Sequence, residues 1–406
     1  MSVKRPTHPS PGDPEARLQI CIAYDRLYPY SIGGVERWYR RLAERLAADG
    51  HQVTYLTTRQ WPIGEVPCLS RVDVVAIADD DALYARGRRR VKPLLRFGLA
   101  LWWHLVRHGR SYDVVHTSGM SSWNALAAGS LARVQRYRLV LDWWEVWTWF
   151  YWRRYLGAIA GTMGWFIQRL TTKLPHAPLA YSTLHAARLA KLKGWRDIPV
   201  AAGGLASAEL VDSPCRADLL LVYAGRFIPE KQIPAIVRAL AEARRRLPAL
   251  EAVLIGDGPD DQAVRDATRA TRLESYIRLP GFVSEEVLAE TLGRALCLVL
   301  LSRREGYGLI VAEAAALGVP SVVLRHPDSA AAELVVDGVN GFTCASTDPQ
   351  EVASAILRVH DAGDALRQST LAWFGARADS LTIEGLLPNV LNVYRGMTPV
   401  ADRTDA

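Results

Sequence analysis

The sequence predicts two doubly wound α/β domains in tandem. Short, continuously apolar runs alternate with amphipathic segments, which is the pattern of a parallel sheet covered on both faces. The alternation breaks over Ala201–Pro214, where Gly203, Gly204, Ser207, Ser213 and Pro214 cluster, and then restarts. The chain has 406 residues, more than the roughly 250–300 at which single cores stop growing.

The first domain is expected over 16–203, after a disordered lead-in at 1–15 that carries Pro6, Pro9, Pro11 and Pro14 and no apolar leader segment. Leu18–Tyr24 reads as a buried strand. Val35–Ala48 has apolar residues at helical spacing, with Gly50 as its stop. Further strands are expected at Gln52–Thr58, Val72–Ala78, Tyr112–His116, Arg138–Asp142 and Pro178–Ser182. The second domain is expected over 204–381, with Ala201–Pro214 as the linker. Its strands are Leu219–Gly225, Leu250–Gly256, Tyr276–Leu279, Leu296–Ser302 and Ser321–Leu324. Its helices are Ile233–Arg246, Gln262–Thr271 and Leu309–Leu317. A last helix at Gly385–Gly396, within 382–398, is expected to pack back on the first domain, followed by a disordered tail at 399–406. Two such domains are expected to hold a ligand in a cleft between the carboxyl ends of their strands.

Composition narrows the function. Apolar residues make up 50% and charged residues 22%, which excludes a largely disordered chain. Lys and Arg number 49 against 42 Asp and Glu, a net charge of +7 that favours phosphate-bearing substrates, anionic lipid or nucleic acid. Nucleic acid has only the Arg88–Arg90 run in its favour and no recognised motif, so none is expected as a partner. Cys21, Cys68, Cys215, Cys297 and Cys344 are scattered, against a disulfide framework or a zinc site and in keeping with a cytoplasmic location. The longest uncharged apolar stretch, Tyr155–Gln168, falls short of the roughly 20 residues that cross a bilayer.

Three glycine-bearing turns carry the chemistry. In Arg303–Glu313 (RREGYGLIVAE), Gly306 and Gly308 let backbone approach a ligand. The amides of Gly308, Leu309 and Ile310 open a helix and can bind phosphate. Glu305 and Glu313, eight residues apart, would be about 12 Å apart along one helix and so hold two parts of an elongated ligand. In Tyr223–Lys231 (YAGRFIPEK), Arg226 and Lys231 follow a strand's carboxyl end and suit a diphosphate. The alternative there is a surface loop with an internal Glu230–Lys231 pairing. Gly33 and Gly34 lie between a strand and a helix, another anion-binding start. Gly256–Asp257–Gly258 lacks the third glycine of a dinucleotide motif.

In order, Gly33–Gly34–Val35–Glu36, Gly50–His51–Gln52–Val53, Gly225–Arg226 with Glu230–Lys231, Gly256–Asp257–Gly258–Pro259, Glu305 with Glu313, Gly318–Val319–Pro320 and Asp337–Gly338 resemble the retaining glycosyltransferases of family 4. The resemblance covers most of the chain and implies the GT-B fold, two Rossmann-like domains facing across a cleft. It implies transfer of a sugar from a nucleotide-sugar donor, a co-substrate, to a hydroxyl acceptor, with no cofactor and no metal. Arg226 and Lys231 would bind the diphosphate, Glu305 the donor sugar and Glu313 the ribose. Gly34 would approach the diphosphate, and backbone around Gly281–Val283 the base. Asp79–Asp80–Asp81 matches a metal-binding DxD only superficially and reads as a solvated loop. Many members carry a His-x-His pair. Here His116 fills the first position and Ser118 the second, which leaves His116 open between a structural role and an acceptor-side contact.

The stretch Asp142–Trp152 (DWWEVWTWFYW) gives Asp142 and Glu145 for acceptor hydroxyls and Trp faces for a sugar ring, or else a packed aromatic core. With Arg96–Arg110, which holds Trp102 and Trp103, it also suits an anionic membrane surface and a lipid-linked acceptor, a cell-surface glycan precursor among them. A soluble small-molecule acceptor, a sugar-nucleotide epimerase and a pyridoxal-dependent phosphorylase are the other readings of the same fold.

Overall fold

In the computed structural model, residues 16–65, 67–80, 84–85, 88–89, 91–194, 198–201 and 217–397 are described. The expected lead-in, tail, Cys215 and most of the expected linker lie outside them. The chain divides into two units, 1–202 with 383–406, and 203–382.

The first unit strings together β1 (Gln19–Ala23), α1 (Gly34–Ala48), β2 (Gln52–Arg59), β3 (Val72–Asp79), the short antiparallel pair β4 (Tyr84–Ala85) and β5 (Arg88–Arg89), and α2 (Val91–His108). Then come β6 (Val114–Ser118), α3 (Ser122–Gln135), β7 (Arg138–Trp143), α4 (Trp149–Leu156), α5 (Ala158–Lys173), β8 (Ala177–Ala180) and α6 (Thr183–Lys193). Six strands form one parallel sheet in the order β3-β2-β1-β6-β7-β8. The continuous apolar runs of β1, β6 and β7 are buried on both faces, as a parallel sheet under helices requires. β6 runs two residues beyond the expected His116. Thr117 stays in the sheet by donating its hydroxyl to the Ala23 carbonyl at 2.6 Å.

The second unit repeats the plan. It comprises β9 (Leu220–Ala224), α7 (Ile233–Ala243), β10 (Glu251–Ile255), α8 (Asp261–Thr271), β11 (Ile277–Gly281), α9 (Glu285–Gly293), β12 (Cys297–Leu300), α10 (Leu309–Ala316), β13 (Ser321–Leu324), β14 (Gly341–Cys344), α11 (Pro349–Gly375) and α12 (Ala378–Leu381). The parallel sheet runs β11-β10-β9-β12-β13-β14. β14 and α11 were not anticipated as elements. Gly341 opens β14 at φ +151, where a Cβ would fall 2.0 Å from the Ser321 carbonyl oxygen, so only glycine lets the two strands meet. Asp348 caps α11 by accepting from the amides of Gln350 and Glu351.

The last helix, α13 (Ile383–Arg395), belongs to the first unit. Arg138 donates to the Val393 carbonyl at 2.6 Å, and Val390, Val393 and Tyr394 are buried. In each sheet the strand order reverses once, between β1 and β6 and between β9 and β12. The loops leaving the carboxyl ends at these two reversals diverge and leave a crevice, the place where such sheets take ligands.

Candidate functional site

At the reversal of the second sheet, the loops after β9 and β12 lie side by side. Gly225, at φ +155, turns the chain out of β9, and Phe227 anchors the loop in the core. Pro229–Lys231 form a single 3-10 turn, after which Gln232, at φ +55, starts α7. Gly256 and Gly258 from the neighbouring loop pack beneath. A Cβ at Gly256 would lie 1.9 Å from the Gly225 carbonyl oxygen, and one at Gly258 2.3 Å from that of Phe227. The incomplete glycine motif of the sequence is therefore a seat for the Arg226 loop.

After β12, the Glu305 amide donates to Asp328 O at 3.2 Å, and Glu305 O accepts from the Ala330 amide at 2.9 Å. Gly308, at φ +101, caps α10. Glu305 thus stands in a loop ahead of the helix, so the 12 Å helical separation from Glu313 does not apply. Glu313 is half-buried on α10 itself, with Leu309 and Ile310 in its first turn.

Two ion pairs cross between the loops. Lys231 Nζ donates to Glu305 Oε2, which also accepts from Ser302 Oγ at 3.3 Å. Arg304 Nη1 lies 3.5 Å from Glu230 Oε1, and the Arg303 amide donates to Glu230 O at 2.8 Å. The internal Glu230–Lys231 pairing weighed from sequence gives way to this arrangement: each neighbour reaches across to the other loop. The four charged side chains of the pairs are 14–20% exposed, so the pairs are screened less than surface pairs. Burial, then the Glu305 charge, pushes the Tyr223 hydroxyl well up. Arg226 is exposed on the same loop. Gly281 ends β11 at φ +75, and Val283 is half-buried just before Ser284, the cap of α9. Glu230 and Ser302 were not singled out as site residues, because their partners are 74 and 3 residues away across a turn that spacing alone does not draw.

The first unit holds the remaining candidates. Gly33 caps α1 and Gly34 is its first residue. His116 and Asp142 are fully buried. His116 Nε2 bonds Asp142 Oδ1 at 2.7 Å and Nδ1 bonds the Tyr394 hydroxyl at 2.6 Å. Both ring nitrogens are spent inside the protein, which is the structural role and leaves neither His116 nor Asp142 on an acceptor-facing surface. Burial, with the Asp142 charge, raises the hydroxyls of Tyr39, Tyr181 and Tyr394. Ser118 Oγ accepts from the Met120 amide at 3.3 Å, and Glu145 accepts from the Trp147 indole. Trp143 and Trp144 are buried, the latter stacked on Tyr181 at 3.5 Å, so this part of the tryptophan run is core.

The expected solvated loop begins only at Asp80: Asp79 is the last residue of β3 and pairs with Arg96 at 2.9 Å, and Asp80 pairs with the buried Arg26 at 2.7 Å; Asp81 lies outside the described residues. Among the described residues no group of three or more His, Cys, Asp or Glu is placed to hold a metal ion.

Two family models match. Residues 32–204 match "Glycosyltransferase Family 4" and residues 218–362 match "Glycosyl transferases group 1". The chain belongs to the family 4 glycosyltransferases. The transferase is 27% identical over 364 residues to the glycogen synthase of Mycobacterium tuberculosis, covering 82% of this chain and 84% of that one. In fold it is similar to the sucrose-phosphate synthase of Thermosynechococcus elongatus (TM-score 0.78, 18% identity, 94% of this chain and 99% of that chain). It is also similar to Anabaena HepE in complex with UDP-glucose (TM-score 0.65, 13% identity, 94% and 100%). The two six-stranded parallel sheets of the transferase are those of the GT-B fold.

Proposed function

We propose that this glycosyltransferase moves a sugar from a nucleoside diphosphate donor to a hydroxyl of a lipid-linked acceptor, a glycan precursor at the inner face of the cell membrane, with retention of configuration and without a metal. The observation that carries the donor half is the pair of crossed loops at the β9/β12 reversal. There Arg226 and Lys231 share the loop after β9, Lys231 reaches Glu305 in the loop ahead of the Gly308 start of α10, and Glu305 is held by Lys231 and Ser302. Cations and a helix start on one crevice suit a diphosphate. The HepE complex with UDP-glucose points to UDP as the donor nucleotide to try first.

In this reading Arg226 and Lys231 offset the charge that grows on the diphosphate as the bond from its oxygen to the sugar C1 breaks. Glu305 contacts the donor sugar and Glu313 the ribose, with backbone near Gly281 and Val283 beside the base. The acceptor oxygen bonds C1 on the face the diphosphate leaves, and its proton passes to the departing phosphate oxygen. Glu145 and Ser118 are the acceptor-side candidates that remain once His116 and Asp142 are spent on each other. The lipid-linked acceptor is favoured over a soluble one by the exposed apolar and basic helices of the first unit.

A thermal-shift panel with UDP, GDP, ADP and dTDP tests the donor reading. A ligand bound only by the folded state adds about 2.7 kcal/mol at one hundred times its Kd. One clear responder, UDP first, is expected; a flat response to all four refutes the donor site.

A further inference from the structure

Helix α5 is built inside out. Its buried positions are Gly161, Gln168, Thr171 and Thr172, all small or polar. Ile159, Met163, Phe166 and Leu170 face outward at 85%, 60%, 59% and 53% exposure. Their spacing places them on one stripe of the helix. The inward groups are well partnered. Gln168 accepts from the Trp147 amide at 3.1 Å and the Trp152 indole at 3.2 Å, and donates to Trp147 O at 2.9 Å. A Cβ at Gly161 would lie 2.3 Å from the Trp152 carbonyl oxygen, and one at Gly164 2.5 Å from its ring, so glycine is required where α4 meets α5. The helix is thus fixed by its polar and small face. Rolling the apolar stripe inward would break those bonds and that fit.

A second outward stripe lies on α2, where Leu95, Leu99 and Trp102 follow the same spacing and Leu99 is 62% exposed. α3 packs against both α2 and α5, so the two stripes belong to one helical layer. An apolar surface this extensive on a folded unit marks an interaction face.

Charge names the occupant. From Val146 to Arg196 the sequence has no Asp or Glu, but five Arg and three Lys. Guanidinium groups sit over tryptophan rings beside the stripes: Arg153 over Trp149 at 4.3 Å, Arg169 over Trp165 at 5.4 Å and Arg107 over Trp103 at 3.9 Å. Apolar side chains rimmed by Trp and Arg, with no acid on either helix of the hairpin, complement acyl chains beneath anionic headgroups. Among the described residues no helix is long and apolar enough to cross a membrane, so the contact is with the bilayer surface.

We infer that the outward stripes of α5 and α2 dock the first unit on an anionic bilayer. This deepens the acceptor reading above, and rests on it in taking the membrane as the place where the acceptor is met. The test is cosedimentation of the full chain, at low salt, with vesicles of phosphatidylcholine alone or mixed with phosphatidylglycerol. The wild type sediments with the mixed vesicles and stays largely in solution with the zwitterionic ones. Met163→Glu/Phe166→Glu, both at exposed positions, keeps the wild-type Tm and sediments at least about 10-fold less. Phe166→Ser/Leu170→Ser serves the same purpose if the charged pair fails to fold. Val287→Glu, at an exposed apolar position of the second unit, sediments like wild type. Wild-type protein left in the supernatant, or a Met163→Glu/Phe166→Glu variant that sediments fully, overturns the inference. So does a wild-type dimer in light scattering that this variant converts to monomer, since the stripe then covers a second copy. UDP thermal shifts on the same preparations keep the two readings apart. A UDP response without vesicle binding removes the docking face alone, and vesicle binding without any nucleotide response removes the donor reading alone.

Discussion

Tyr394→Phe tests the buried relay of the first unit. The carboxylate of Asp142 can only accept, so His116 carries its proton on Nε2 toward Oδ1 at 2.7 Å. In the neutral imidazole Nδ1 is then the acceptor, and the Tyr394 hydroxyl donates to it at 2.6 Å. Removing that hydroxyl leaves the ring of α13 in place and opens no large cavity. It strips the partner from Nδ1 where His116 is 0% exposed. An unsatisfied buried acceptor costs about 1–3 kcal/mol. At about 2 kcal/mol, and roughly 2–4 °C of Tm per kcal/mol for a domain of some 150–250 residues, the melting of the first unit falls by about 4–8 °C. Circular dichroism melts read this directly. The UDP shift of the second unit is expected to persist, because no atom of that unit changes. A Tm within about 1 °C of wild type would show that Nδ1 needs no partner from α13 and would refute the assignment of His116 as a structural residue.

Glu305→Gln and Lys231→Ala are each expected to lower transfer by at least about 100-fold, as loss of a charge-stabilising group does; near-normal turnover in single-turnover assays removes that residue from the mechanism. Gly256→Ala places a Cβ 1.9 Å from the Gly225 carbonyl oxygen at φ +135 and should cost at least about 1–3 kcal/mol and weaken UDP binding, whereas Gly363→Ala, at φ +55 with nothing within 4 Å, should leave UDP binding intact; equal effects of the two in urea and UDP titrations would refute the packing account. His176 is pushed down to about 4, first by burial and then by the Lys193 charge, against the Leu174 carbonyl that raises it. Its Nδ1 meets that carbonyl at 2.9 Å and its Nε2 accepts from the Trp143 indole at 3.4 Å, so a second ring proton would set donor against donor. With the folded value below the unfolded one, the stability is present above about pH 6.5 and is lost as pH falls toward about 4, by an order of 3 kcal/mol. Urea midpoints measured across that range should drop less in His176→Gln; parallel profiles would refute the assignment.

The sheets were legible because buried parallel strands leave an unmistakable trace, as LVYA of β9 and CLVL of β12 do, each closed by a glycine turn or a capped helix. β14 escaped because GFTC, Gly341–Cys344, is short and opens on a glycine whose need is set by Ser321 across the sheet. His116 was ambiguous for the same reason. Asp142 and Tyr394, which decide its role, are 26 and 278 residues away, and local spacing has no access to either. The face of α5 was equally hidden. Its composition is apolar enough for a core helix, and only the fold reveals that Gln168, Thr171 and Thr172 point inward.

The charge of the loops after β9 and β12 follows from topology more than from any one motif. Reversal of strand order between β9 and β12 sets segments 74 residues apart edge to edge. These loops carry Arg226, Lys231, Arg303 and Arg304 against Glu230 and Glu305, an excess of two positive charges. Had Glu230 and Lys231 neutralised each other within their own turn, each loop would be free to move. Crossed pairing makes the positions of Lys231 and Arg304 depend on the opposite loop, and backbone bonds from Arg303 to Glu230 and from Glu305 to Asp328 hold that arrangement. Fixed cations reorganise little as charge develops on a leaving diphosphate, and that is the condition under which electrostatic stabilisation lowers a barrier instead of only tightening a complex.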